Sequence, residues 1–470
     1  MLYVLIDIGS TFTKGTLVDT ESHEVLGHGL AITTVRSGIL KGCNEMLEKL
    51  KEDCVAHDHA LTIHEDGKFW DRALLCSSAA GGLKMVSVGL GRRLTAEAAT
   101  RSALGAGARI LKTYSYELTD AHIAEIDEIQ PDIILLSGGT DGGNATNLVY
   151  NASMLAKLHH RMPVVIAGNA DVASNAAEAL RHFDVTIPEN VMPQVNVLNA
   201  EPARAAIRDI FMAHITHAKG LDDVVREIGP VLMPTPDAAL HAARLLAYGT
   251  ENEEGWGELL LADIGGATTD IHSFGAGRRE DKDHIMVNGK RCELRYEGLQ
   301  EPVNKRTVEG DLGMRYSAES LFESVGQEEL NATYPADYAA ETHARAEEIR
   351  FIPQTEHDRM VDTAMARACV QHALARHNGI LRREFENGRY IYYLGGKDLS
   401  AFHVLIGTGG VIVHNEHPEK ILNPDDRLLF PHQPDLYLDA DYIISACGLL
   451  STEDPDAALQ ILKRTLKRVN

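Results

Sequence analysis

Apolar and polar positions near the start of the chain alternate in short strand-like runs. Residues 3–7 read as a strand, a tight glycine turn follows, and residues 12–19 read as a second strand. A third run ends near Thr33, and residues 38–50 then carry a helical pattern, which together predict a three-stranded meander followed by a helix. From residue 72 the pattern changes. Apolar runs at 73–76, 133–136 and 164–167 each end in a small-residue or glycine-rich loop and continue into a helix-like segment, which predicts βα units on a mainly parallel sheet. A second meander opens at 259–263 and continues through 269–274. Aligned, Asp7-Ile8-Gly9-Ser10-Thr11-Phe12-Thr13-Lys14 stands beside Asp263-Ile264-Gly265-Gly266-Ala267-Thr268-Thr269-Asp270, so the chain reads as a duplicated domain.

A chain of 470 residues has room for two or more cores. The division expected is 1–245 and 246–470, with a βα region inserted at about 83–228 of the first half. The net charge of −23 sets the surface against phosphate backbones and anionic lipid, which disfavours nucleic acid and membrane as partners. The first residues pass from Met1 straight into a strand pattern without a basic or cleavable leader, and no apolar stretch approaches a bilayer span, so a cytoplasmic location is expected. Six cysteines stand far apart with no C-x-x-C pair, which predicts reduced, mostly buried thiols and no structural zinc.

The candidate chemistry lies in the two turns. Glycine lets backbone N–H groups approach phosphate oxygens where a Cβ would intrude, so Gly9, Gly265 and Gly266, with Ala267 as a small residue, are expected to line phosphate. The hydroxyls of Ser10, Thr11, Thr13, Thr268 and Thr269 are candidate donors, and Lys14 adds a cation. Asp7 and Asp263 end the first strand of each meander. A carboxylate facing phosphate needs a cation between the two, so both are candidate catalytic residues holding Mg²⁺ through water. One such turn is also what an ordinary hairpin needs; two, each rich in hydroxyls, favour phosphate. Near the C-terminus the apolar run 404–406 enters Gly407-Thr408-Gly409-Gly410, a candidate surface for adenine and ribose.

These three loops, in this order, resemble the two phosphate loops and the adenosine loop of the actin, sugar-kinase and heat-shock-ATPase superfamily. The resemblance implies duplicated ribonuclease-H-like α/β domains facing a nucleotide cleft, ATP and Mg²⁺ as ligands, and connecting helices at 236–249 and 441–450 as its hinge. A closer resemblance covers essentially the whole chain. The stretches CSSAAGGLKMVSVGL at 76–90, LSGGTDGG at 136–143, VMPQVNVLNAEPAR at 191–204, KRTVEGDLGM at 305–314 and FIPQTEHDRM at 351–360 resemble the MutL-type proteins encoded with adenosylcobalamin-dependent glutamate mutase. It implies an accessory ATPase that chaperones or reactivates a cobalamin mutase.

Thr235 stands where the heat-shock ATPases carry a glutamate before the connecting proline, so slow hydrolysis is expected. Glu309 is a candidate replacement acid, with Asp311 beside it, unless their loop is only a polar turn before the helix that starts near Ser317. The 137–144 loop suits an anion, a plain βα turn or a partner-facing loop. A small-molecule kinase, passing the γ-phosphoryl group of ATP to a hydroxyl or carboxylate, would use the same three loops; no acceptor base stands out to favour it.

Overall fold

The computed structural model describes the chain apart from residues 10–11, 35–37, 60, 79–82, 92–97, 99–100, 104–105, 107, 217–220, 278–282 and 299–300, and the side chains of 109 and 214–216. It has two compact units, Met1–Ala239 with residues 298–300, and Leu240–Glu297 with Glu301–Asn470. The division falls inside the helix Thr235–Tyr248.

The first unit contains β1 (Leu2–Ile8), β2 (Phe12–Asp19), β3 (Glu24–Ile32), β4 (Arg72–Ser77), β5 (Lys84–Gly89), β6 (Arg109–Ser115), β7 (Ile133–Leu136), β8 (Val164–Ile166), β9 (Val185–Thr186) and β10 (Val231–Pro234). Its first sheet has the order β10-β4-β1-β2-β3. The hairpin-linked strands β1, β2 and β3 pair antiparallel, while β4 and β10, which arrive through longer connections, pair parallel. The helix Ile39–Ala56 packs closely on this sheet, and a Cβ at Gly15 would stand 2.1 Å from the Met46 sulfur. The inserted region forms a second sheet in the order β6-β5-β7-β8-β9, with all of its pairs parallel. One continuous apolar core runs from Val4 and Ile6 of the first sheet to Met85 and Leu135 of the second, and another covers the second sheet's opposite face through Val86, Ile134 and Leu136.

The second unit contains β11 (Leu259–Ile264), β12 (Thr269–Phe274), β13 (His284–Val287), β14 (Lys290–Glu297), β15 (Asn304–Glu309), β16 (Ile380–Glu386), β17 (Arg389–Gly395), β18 (Val404–Thr408), β19 (Asp435–Leu438) and β20 (Lys467–Arg468). Its main sheet is β15-β12-β11-β18-β19-β20. Apart from the added β20, this repeats the first sheet: an antiparallel meander of β11, β12 and β15, then parallel β18 and β19 beside β11. The repeated topology is that of duplicated ribonuclease-H-like α/β domains. A separate four-stranded sheet has the order β13-β14-β17-β16.

The helix Glu356–His377 fills the centre of the second unit. Its Asp362 and the helix Tyr338–Glu347 enclose Arg345, whose side chain is 0% exposed. Arg345 donates to Asp362 at 2.6 Å and to Glu341 at 2.5 Å, and lies over the Phe351 ring. Arg315 supplies a second cation to Asp362 at 2.9 Å.

Candidate functional site

The same hydrogen bond closes both turns. Gly9 N–H donates to the Phe12 carbonyl at 3.0 Å, and Gly265 N–H donates to the Thr268 carbonyl at 2.8 Å. A Cβ at Gly9 would stand 2.7 Å from the Phe12 oxygen, which excludes larger residues there. Ser10 and Thr11 lie outside the described residues.

In the first unit Asp7 is the penultimate residue of β1, opposite Lys14 on β2 and beside Cys76 on β4. Thr235, first residue of its helix, donates to Asp7 Oδ1 at 2.5 Å, and the Cys76 thiol approaches the same oxygen at 3.6 Å. Thr235 is thus more than a missing glutamate: its hydroxyl orients the carboxylate of the first turn. Burial and then the Asp7 charge push the Cys76 thiol well up, so it remains protonated. Neither contact was legible in the order of residues, because β4 and the Thr235 helix reach Asp7 only through the parallel sheet.

In the second unit Asp263 is the penultimate residue of β11, opposite Asp270 and beside Thr408. Arg306 donates to Asp270 from both Nε (2.9 Å) and Nη2 (2.8 Å), and the Thr268 hydroxyl donates to the same carboxylate at 3.3 Å. Asp270 and Arg306 were not singled out from the sequence: Asp270 only closes the aligned stretch 263–270, and Arg306 only lies within the 305–314 stretch. The carbonyls of this turn are tied back by the segment that follows β15. Met314 N–H reaches Gly265, Arg315 N–H reaches Gly266 at 2.8 Å, and the Ser317 hydroxyl reaches Ala267 at 2.7 Å. The amides of Gly266 and Ala267, by contrast, have no acceptor among the described residues. A turn with its oxygens occupied and its N–H groups open is arranged for an anion.

Thr13 and Thr269, expected as phosphate donors, are instead fully buried. Each pairs across its hairpin with an isoleucine of the core, Ile8 or Ile264, so strand alternation turns both inward. Thr13 shares a hydrogen bond with Thr33 at 3.0 Å, and the Thr269 hydroxyl donates to the Leu312 carbonyl at 2.7 Å. Glu309 lies in an ion pair. It pairs with Arg376 at 2.8 Å, and the same guanidinium binds Asp311 at 2.5 and 2.7 Å. Arg376 and the Ser324 hydroxyl hold the Asp311 carboxyl down at about 2. These ion pairs brace the loop.

The third loop has structural reasons for two of its glycines. Gly409 has φ +99°, and a Cβ there would stand 2.3 Å from the Ile264 oxygen. At Gly407 a Cβ would stand 2.7 Å from Leu422, while at Gly410 the nearest atom is the Tyr442 oxygen at 3.9 Å. Thr408 donates to Asp439 Oδ2 at 3.0 Å, and Asp439 Oδ1 accepts the Ile443 amide at 2.7 Å. Burial and the charges of Asp439 and Asp263 push the Tyr442 hydroxyl up to about 12. Gly409→Val should therefore act first on folding, lowering the stability of the second unit by about 2–4 kcal/mol in denaturant unfolding. Unchanged stability with lost nucleotide binding would restore adenine clearance as the reason for this glycine.

Among the described residues no three carboxylate, histidine or cysteine groups converge as a metal cage. Asp7 and Asp263, each half-buried at a strand end, fit Mg²⁺ only in the manner that ion prefers, through water and substrate phosphate.

A model of the MutL protein family matches residues 3–466. Protein MutL of Clostridium tetanomorphum is 44% identical over 479 residues, which covers 99% of each chain. The chain belongs to the MutL family. Among solved structures, the gluconate kinase of Lactobacillus acidophilus is similar with a TM-score of 0.33 and 9% identity, over 100% of this chain and 92% of that one. A glycerol dehydratase reactivase is similar with a TM-score of 0.31 and 12% identity, over 96% and 99%. Both scores are low, and the fold stands on the strand order of the two sheets. No helix among the described residues is long and apolar enough to cross a membrane.

Proposed function

We propose that this MutL-family chain is an ATP-binding accessory factor, a slow Mg²⁺-dependent ATPase that reactivates an adenosylcobalamin-dependent mutase such as glutamate mutase. The observation that carries the nucleotide part is the second turn, whose carbonyls are tied back while the amides of Gly266 and Ala267 are open. In this reading those amides receive phosphate oxygens, with Thr268 beside them, and the first turn, with Lys14, is the matching candidate of its own unit. Asp7 in one unit and Asp263 in the other are the candidates to hold waters of Mg²⁺, which when bound neutralises phosphate charge. The slow rate follows from Thr235, a neutral hydroxyl committed to Asp7, which cannot act as a general base. The mutase partner rests on the family resemblance, and the cytoplasmic setting agrees with six free cysteines.

Glu309 and Asp311, the candidate replacements for the water-orienting glutamate, are both paired with Arg376, which agrees with slow hydrolysis. Membership of the MutL family favours the accessory factor over the small-molecule kinase. The test is the ATPase rate of the purified protein, alone and with turnover-inactivated mutase. Slow hydrolysis that the mutase accelerates, with mutase activity recovered, is the expected result. ATP-dependent phosphorylation of a sugar or carboxylic acid, indifferent to any mutase, would make the chain a kinase.

A further inference from the structure

The separate four-stranded sheet of the second unit is long for the core beneath it. One face rests on a small cluster of Ile285, Leu294, Leu394 and Leu429, with Leu381 and Tyr392 packed against it. Farther along the same face the hairpin of β16 and β17 continues past its pairing with β14, which begins only at Ile391. Strand alternation carries Arg383 and Phe385 onto the face that Leu381 occupies, and Tyr390 onto that of Tyr392 and Leu394. Phe385 and Tyr390 are direct cross-strand partners with ring centroids 5.1 Å apart, yet they are 65% and 52% exposed. The Arg383 guanidinium lies 4.7 Å over the Tyr390 ring and makes no ion pair among the described residues.

The opposite face behaves differently. There Arg382, Arg295 and Arg389 are neutralised by Glu297, Glu293 and Glu386. The sheet therefore presents one face closed by its own ion pairs and one end of the other face with a preassembled aromatic pair and an available cation. Aromatic residues and arginine are the side chains that anchor protein interfaces, and here they are already ordered by one another, which lowers the entropic cost of binding. Charge narrows the occupant. The chain carries −23, so an acidic partner meets repulsion over most of the surface, whereas these four strands carry more arginine and lysine than glutamate.

We infer that the Arg383–Phe385–Tyr390 face is the docking surface for an acidic patch of the client enzyme, with apolar groups meeting the two rings and a carboxylate meeting Arg383. This rests on the accessory-factor reading and adds where the client is held. The face belongs to an insertion outside the main sheet that carries Asp263, so docking is separable from nucleotide binding.

The experiment measures binding of purified adenosylcobalamin-dependent glutamate mutase to the full chain and to two variants, Phe385→Ala/Tyr390→Ala and Arg383→Glu. Nucleotide binding and thermal unfolding serve as controls. The double variant is expected to bind the mutase at least about tenfold more weakly and Arg383→Glu several-fold more weakly, with the salt dependence reduced in the latter and both controls unchanged. Mutase bound equally by parent and variants overturns this surface and leaves the accessory role standing. A parent that binds no mutase overturns both. A dimer of the chain that the double variant dissolves, with mutase binding intact, assigns the face to a second copy instead.

Discussion

Asp263→Asn and Asp7→Asn are each expected to weaken Mg²⁺-dependent ATP binding or turnover by at least about tenfold, with the fold intact. Both carboxylates are one residue from the end of the first strand of a meander and stand half-buried beside a turn, so the change removes a full charge where the cation's waters would be held. Asparagine keeps the shape and most of the hydrogen bonding, which separates the charge from the packing. At Asp7 the substitution also leaves Thr235 free to donate to the amide oxygen. Thr235→Val then serves as a second probe: it removes the 2.5 Å contact that orients Asp7 while leaving the charge, so its loss of affinity should be smaller than that of Asp7→Asn. The measurement is calorimetric titration with ATP in the presence and absence of Mg²⁺. Unchanged binding and hydrolysis in both Asn variants would remove these turns from the nucleotide site.

Arg345→Met is expected to cost about 3–5 kcal/mol in urea unfolding, the largest stability effect foreseen here for one side chain. Arg345 is fully buried, and its removal takes a cation from the carboxylate of Asp362, itself 3% exposed. Asp362 retains Arg315 at 2.9 Å, which places the cost toward the lower end of that range. If the penalty comes from a stranded charge and not from lost volume, Arg345→Met combined with Asp362→Leu should recover part of it, because apolar replacement of a buried pair is often near neutral. A cost below about 1 kcal/mol for the single variant would mean that water or a shift in the chain reaches Asp362.

The two meanders could be read directly from the order of residues. Period-two alternation bounded by glycine specifies a hairpin through local chemistry alone, and β2 occupies 12–19 as its pattern requires. Comparison of Asp7 with Asp263 disclosed the duplication for the same reason, since each turn is a contiguous stretch of chain. The motif stretches likewise sufficed to point to the MutL family. What a side chain faces within such a turn was settled only by tertiary structure. Thr13 and Thr269 look like donors in sequence but share a sheet face with the core, and the parity of their strands buries them. Long-range partners were equally out of reach: Thr235 is brought to Asp7 by parallel pairing through β4, and Arg376 captures Glu309 from a helix many residues later. The four-stranded sheet was missed altogether. Its strands β14 and β17 are distant in the chain, β14 and β16 are dense in charge, and only the pairing of β16 with β17 makes the alternation of Arg383, Phe385 and Tyr390 into a face. Contiguous chemistry is therefore carried by the sequence, while the partners that orient, neutralise or bury each group depend on contacts that the folded chain alone brings together.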